Sequence, residues 1–182
     1  MRIIAGEFRG RKLVEPRFDV TRPITDRAKQ SLFDVLMPLI EDAVVYDCFC
    51  GTGSMGLECL SRGARHATFF DADRHALSGL RQNIESLRVS DRTKMVAGDL
   101  FRLAPRLDPV GAIGLFFFNP PFKFLREKPE PLQKFIEAML PKLAVDATVI
   151  FRHDTADELA LPPLRQVDRR VYSNMTIDLL RV

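Results

Sequence analysis

Val44-Val45-Tyr46-Asp47-Cys48-Phe49-Cys50-Gly51-Thr52-Gly53-Ser54-Met55-Gly56-Leu57-Glu58 is the stretch that decides the fold. An apolar β-branched run leads into an acid, a glycine-rich turn follows, and a helical pattern opens behind it. Strand, turn and helix in that order form the first unit of an open α/β nucleotide-binding sheet. Gly51, Gly53 and Gly56 spell G-x-G-x-x-G, the spacing with which a helix N-terminus cradles a pyrophosphate. The same turn can also do no more than pack a helix on a strand.

Asp47 argues against the pyrophosphate. Four residues before the first glycine, it sits at the strand's carboxyl end, where it repels an anion. An acid there suits a cation that carries ribose hydroxyls and an amino-acid tail, as S-adenosylmethionine does. Asp71 follows at the end of the next apolar run, Ala67-Thr68-Phe69-Phe70. An acid at that place takes two ribose hydroxyls in an NAD site as well as in a methyl-donor site. Asp99, after the short strand Lys94-Met95-Val96-Ala97, can lie beside the adenine, although such an acid is more often a loop or capping residue. With the neighbouring Phe49, Ala72 and Leu100 and the later Asn119, these residues make the expected donor set.

The whole chain sets the bounds. Its 182 residues, 46% hydrophobic and 28% charged, fit one globular domain with a sizeable core. No apolar run approaches the ~20 residues that span a bilayer. The amino terminus lacks the apolar region of a signal peptide. Cys48, Cys50 and Cys59 crowd the glycine turn in an odd count, which suits a reduced, cytoplasmic protein better than a disulfide framework. No histidine stands near them in sequence, so no metal is expected.

The net charge of +3 is unevenly placed. Arg2, Arg9, Arg11, Lys12, Arg17, Arg22, Arg27 and Lys29 face only Glu7, Glu15, Asp19 and Asp26 in the first 30 residues. That leaves +4 on the amino-terminal arm and −1 on the rest. Such an arm reads as an electrostatic handle for nucleic acid, or as a solvated tail. Ile3-Ile4 and Leu13-Val14 flank its glycines as two short strands of a hairpin or loose ribbon. Arg2, Arg9, Arg11, Lys12 and Arg22 are the expected phosphate contacts, with Lys123 on the target side. Residues 1–24 read as a basic extension and 25–182 as the catalytic core of one domain. Removing residues 1–12 is expected to weaken RNA binding and to spare donor binding.

A helix from Asp26 to about Leu36, capped by Thr25, precedes the glycine-turn strand, and Pro38 falls near its end. A second helix runs from about Ser54 to Gly63, and a third from Asp73 to about Arg88. Ile113 to Phe118 is apolar on both faces, as a central parallel strand should be. Lys123 to Pro131 reads as a mobile segment, Leu132 to Leu143 as a helix and Ala147 to Phe151 as strand five. Arg165–Tyr172 and Met175–Arg181 close the chain as an antiparallel hairpin. The pattern gives an α/β fold, Rossmann-like, with a mostly parallel twisted sheet and helices on both faces.

Asn119-Pro120-Pro121-Phe122 ends the fourth strand, where such sheets bind ligands. An exocyclic amine on a base is a poor nucleophile because its lone pair is delocalised into the ring. The Asn119 side-chain oxygen and the Pro120 carbonyl can accept its N–H bonds and draw it toward a tetrahedral shape. Two prolines stiffen the turn, and Phe122 can stack on a base taken out of its helix. Methyl transfer is then direct displacement at a sulfonium, with no metal and no covalent enzyme intermediate. Asn-Pro alone is only a turn signal.

The chain resembles the bacterial small-subunit (16S) ribosomal RNA guanine-N2 methyltransferases, the RsmD family of class I S-adenosylmethionine-dependent enzymes. The resemblance runs through Met1-Arg2-Ile3-Ile4-Ala5-Gly6, Gly10-Arg11-Lys12-Leu13, Arg22-Pro23-Ile24-Thr25-Asp26-Arg27, Asp47 to Glu58 and Leu60-Ser61-Arg62-Gly63-Ala64. It implies S-adenosylmethionine as donor, one guanine of 16S ribosomal RNA as target, presented on the assembling small subunit, and a monomeric enzyme. Three positions depart from the family. Asn119 stands where the family has aspartate, Asp71 where glutamate is usual, and Arg152-His153 where an acid is expected. The rival readings are an amino-methyltransferase for another RNA site or for adenine N6 of DNA, an NAD-dependent oxidoreductase, and a binding-only RNA module.

Overall fold

The computed structural model describes residues 1–15, 24–103 and 112–182, so Arg17 and Arg22 of the expected arm lie outside the described residues. In chain order the elements are α1 (Asp26–Ile40), β1 (Val44–Cys48), α2 (Ser54–Ser61), β2 (His66–Asp71), α3 (Arg74–Leu87), β3 (Thr93–Ala97) and α4 (Leu100–Leu103). They continue with β4 (Ile113–Phe118), α5 (Lys123–Glu127), α6 (Pro129–Met139), β5 (Leu143–Asp154), β6 (Arg165–Tyr172) and β7 (Met175–Arg181). The seven strands form one sheet in the order β3-β2-β1-β4-β5-β7-β6. β1 to β5 are mutually parallel where they pair, and β7 is antiparallel to both β5 and β6. The strand order reverses between β1 and β4, and a crevice opens there beyond the carboxyl ends.

Strand parity divides the core into two layers. Val45, Leu115, Phe117 and Ile150 pack with Phe33, Leu57, Leu60 and Leu80 of α1, α2 and α3. Tyr46, Phe116, Phe118 and Phe151 pack with Leu125, Leu132 and Phe135 of α5 and α6. β4 is therefore buried on both faces, as its unbroken apolar run requires. Thr25 caps α1, its hydroxyl accepting from the Ala28 N–H at 3.2 Å. Helix α1 runs on through Pro38 to Ile40, further than the proline suggests. The proline removes one hydrogen bond, the one its N–H would make to the Asp34 carbonyl, and only two residues follow it in the helix.

Two expectations need correction. The segment from Lys123 to Pro131 is helical, not a loop. The Phe124 N–H bonds the Pro121 carbonyl at 2.8 Å and starts α5, and Pro129 starts α6, where a proline costs nothing. Strand β5 is also far longer than Ala147 to Phe151. It pairs with β4 from Leu143, and its last residues, up to Asp154, are held by β7.

The arm does form a ribbon, closed by a single antiparallel bridge between Arg2 and Lys12. It lies against α2 and α3. The Glu58 carboxylate accepts the Ile4 N–H at 2.9 Å and the Ala5 N–H at 3.0 Å. Ser61 accepts from Glu7 and Phe8, and Arg11 Nη2 donates to the Ser86 carbonyl at 2.7 Å.

Candidate active site

Four strand ends meet at the crevice. Asp47 on β1 stands opposite Phe117 on β4, and Phe117 stands opposite Ile150 on β5. Two residues further along their strands, Asn119 and Arg152 point to the same face as Asp47, because side chains alternate with a period of two. All three line one cavity of about 340 Å³, within the usual size of small-molecule sites. Asp71, Phe49, Gly51, Thr52, Ser54 and Pro121 share its wall.

The glycine turn is held from both sides. The Gly51 N–H donates to Asp71 Oδ2 at 2.8 Å, and the Gly56 N–H donates to Asp47 Oδ2 at 3.0 Å. The Cys50 N–H reaches the Phe70 carbonyl at 3.1 Å. Phe49 has a φ of +58°, a conformation that costs a non-glycine residue energy and clusters at functional sites. At Gly51, φ is +57° and a Cβ would meet no atom within 4 Å, so the turn is bare where a ligand can approach. Gly56 has another reason. A Cβ there would sit 2.4 Å from the Phe69 ring, so this glycine seats α2 on β2 and cradles no phosphate.

Burial raises the Asp47 carboxyl to about 7 against the opposing pull of the Gly56 N–H and the Arg152 guanidinium, while the nearby Asp71 charge raises it further. The Asp71 carboxyl is also raised, by burial first, although N–H groups of Asp73 and Gly51 oppose it. Arg152 is pulled down by burial and held up by Asp47. Four buried polar atoms on this wall make no hydrogen bond among the described residues: Asp47 Oδ1, Thr52 Oγ1, Ser54 Oγ and Arg152 Nε. A buried polar atom left without a partner costs about 1–3 kcal/mol. Their concentration here marks a wall made for a polar ligand.

The expected donor residues divide. Asp47, Phe49, Gly51, Asp71 and Asn119 line the cavity. Gly53, Ala72, Asp99 and Leu100 do not. Gly53 is the left-handed cap of α2, where a Cβ would sit 2.4 Å from the Leu80 side chain. Asp99 is exposed, accepts the Phe101 N–H at 3.1 Å at the start of α4 and pairs with Arg102. Leu100 is buried in the second core layer. Pro120 is buried and Phe122 half-buried at the N-cap of α5, with Pro121 between them on the cavity wall. Lys123 is exposed beside them. Among the described residues no group of acids, cysteines and histidines is placed to hold a metal ion.

The arm is not separate from the cavity. Met1, Val14, Glu15 and Ile24 line it. The Val14 N–H donates to Asn83 Oδ1 at 2.8 Å, and Asn83 Nδ2 donates to the Thr52 carbonyl of the glycine turn at 2.9 Å. Deleting residues 1–12 therefore removes part of the wall, and the expectation that donor binding survives it is withdrawn. Arg9, Arg11 and Lys12 are exposed, and Arg2 is exposed but pairs with Asp26 at 2.8 Å.

Sequence alone gives Arg152 only as a family departure. Its cavity position follows from parity with Ile150, a signal that needs the strand's true length. His153, one residue on, faces the other layer, stacks on Phe151 and meets Asp178 at 3.2 Å.

The model of a family described as conserved hypothetical protein 95 matches residues 1–181. Ribosomal RNA small subunit methyltransferase D of Escherichia coli (strain K12) is 39% identical over 123 residues, covering 68% of this chain and 61% of that protein. This chain thus spans about three fifths of the length of that curated relative. The putative rRNA methyltransferase YlbH of Bacillus subtilis (strain 168) is 32% identical over 161 residues, 87% of this chain and 85% of that one. Among solved structures, the putative methyltransferase yhhF from Escherichia coli superposes with a TM-score of 0.82 at 31% identity, covering 99% of this chain and 96% of that one.

Proposed function

The chain belongs to the RsmD family, and from that membership we propose that it transfers a methyl group from S-adenosylmethionine to the exocyclic N2 amine of one guanine in 16S ribosomal RNA. The single observation that carries the reading is the clustering of Asp47, Asp71 and Asn119 with unpaired polar atoms around one cavity at the reversal of strand order. The residues present fit the donor. Asp71 would take ribose hydroxyls, Asp47 the cationic amino-acid end, and bare Gly51 allows close approach. When bound, the donor supplies an electrophilic methyl on a sulfonium.

The chain's own residues do the rest. The Asn119 amide oxygen and the Pro120 carbonyl accept the N–H bonds of the target amine and localise its lone pair. The buried Pro120 and its neighbour fix those acceptors, and preorganised partners of this kind act without reorganising. Phe122, half-buried beside the cavity, stacks on the flipped base. Arg2, Arg9, Arg11 and Lys12, together with Arg22 and Lys123, hold phosphates. Residues 1–24 act as the RNA-binding extension of a core spanning 25–182. The enzyme works as a monomer in the cytoplasm on the assembling small subunit. Among the described residues no helix is long and apolar enough to cross a membrane.

The test is a map of modified guanines in ribosomal RNA from cells with and without the gene. One N2-methylguanine in the small-subunit RNA should vanish with the gene and return with the wild-type protein. An unchanged map would sink the assignment, and loss of a methyl-adenine in its place would support the rival amino-methyltransferase reading.

A further inference from the structure

Asp47 and Arg152 are the two charged side chains on the cavity wall that keep a buried atom without a hydrogen bond. One is an acceptor, Oδ1, and the other a donor, Nε. They stand on one face of the sheet, on strands separated only by β4, with Asn119 ending the strand between them. A ligand group that met only one would leave the other's buried atom unsatisfied, at full desolvation cost. An α-amino acid end meets both, since it carries an ammonium and a carboxylate on one carbon. A guanidinium is also the side chain whose planar fork matches a carboxylate.

We infer that Arg152 binds the carboxylate of the methyl donor's amino-acid end while Asp47 binds its ammonium. The inference rests on the donor reading given above and adds a residue to it. It accounts for an arginine in the cavity where the family resemblance implies an acid. It also separates the neighbours Arg152 and His153, since only Arg152 faces the cavity, while His153 is taken up by Asp178. Asp178 is in turn gripped by Arg169 through contacts of 2.7 and 2.9 Å, so it is not available to Arg152.

The test compares two ligands by calorimetry: S-adenosylmethionine, and its decarboxylated form, which keeps the sulfonium, ribose and ammonium. Wild-type protein should prefer the intact ligand by about ten- to a hundred-fold, the usual worth of a charge-assisted hydrogen bond. Arg152→Gln should lose that preference by weakening the intact ligand alone. Arg152→Lys, with the charge but not the fork, should fall between. Equal affinity of the wild type for both ligands overturns the inference without any substitution. So does an Arg152→Gln variant that weakens both ligands equally, which would make Arg152 a mere counter-charge to Asp47. Unchanged donor affinity in that variant, with slowed methylation at saturating donor, would instead assign Arg152 to the target base. A wild type that binds neither ligand would strike the donor reading itself.

Discussion

A carboxyl raised to about 7 by burial is half-protonated near neutrality, and Asp47 meets the ammonium assigned to it only when charged. Donor affinity should therefore fall as pH drops below about 7, by up to ~10-fold per unit, because one proton must leave on binding. Calorimetry at pH 6 and 8 checks this, and a flat profile would remove Asp47 as the ammonium's partner. Stability runs the other way. A folded pKa raised above the unfolded value of ~3.9 gives a contribution present below that value and lost as pH rises through about 7. Asp47→Asn should melt above the wild type at pH 8 and by less at pH 5, while binding donor poorly. Asn119 is set apart by its place at the end of β4. Asn119→Ala should slow single-turnover methylation by about 10²–10³, the usual loss of one preorganised transition-state partner, with little change in donor affinity. Collapsed donor binding with full turnover would make Asn119 a donor residue. Asn119→Asp should stay active, and an inactive variant would count against the guanine-N2 target.

Among the elements, α2 carries the most consequence because it is buried along its length around one carboxylate. Glu58 sits between Lys29 of α1 and Arg62 at the C-cap of its own helix, both at 2.9 Å. Burial alone would raise its carboxyl. The Lys29 ammonium, the Ile4 N–H and Arg62 outweigh burial and hold it below the ordinary value. Breaking such a set by removing one partner costs about 3–5 kcal/mol, since two buried cations are left without it. Glu58→Gln should lose that much in urea unfolding at neutral pH. The gap should shrink as pH falls below the carboxylate range, where the wild type loses its charge too. A loss under ~1 kcal/mol would mean the cations find water. Local signals make such elements readable when they are redundant. Arg165–Tyr172 and Met175–Arg181 stand as expected, because alternation and a Ser173-Asn174 turn both mark them. Lys123–Glu127 was not legible as a helix, since charges dominate its five residues and prolines surround it. The ends of β5 depend on distant partners in β4 and β7, which no local pattern records. Arg152 was hidden for that reason, whereas Asp47, Gly51 and Asp71 were visible because turn chemistry is local.

At the scale of the molecule, charge and structure point to one surface. Half of the arm's excess of +4 lies on residues 1–15, whose ribbon is also a wall of the cavity, so the proposed RNA and donor sites share a boundary. Substitution tests this better than deletion. Arg9→Ala with Lys12→Ala changes two exposed side chains and leaves the backbone bonds to Glu58 and Ser61 in place. RNA binding should weaken at low salt, and the log–log salt slope should flatten by roughly 0.7–0.9 for each lost phosphate contact. Donor affinity should hold, and an unchanged slope would make the ribbon a solvated surface.

The ribbon's anchors also have an order in time. Its residues are synthesised ahead of the rest of this chain, yet beyond Asp26 and Lys29 its partners stand at Glu58, Ser61, Asn83, Ser86 and Arg92. Past the Arg2 contacts with α1, a nascent chain cannot complete these ties until half of the protein has emerged from the ribosome. Until then a basic segment is free at the surface of the very particle whose RNA the finished enzyme is proposed to modify. Protease treatment of stalled chains of increasing length should cut near Arg9 and Arg11 in short chains and lose that cut once residue 92 is exposed. Protection in chains ending before Asn83 would show that the ribbon docks through contacts other than these.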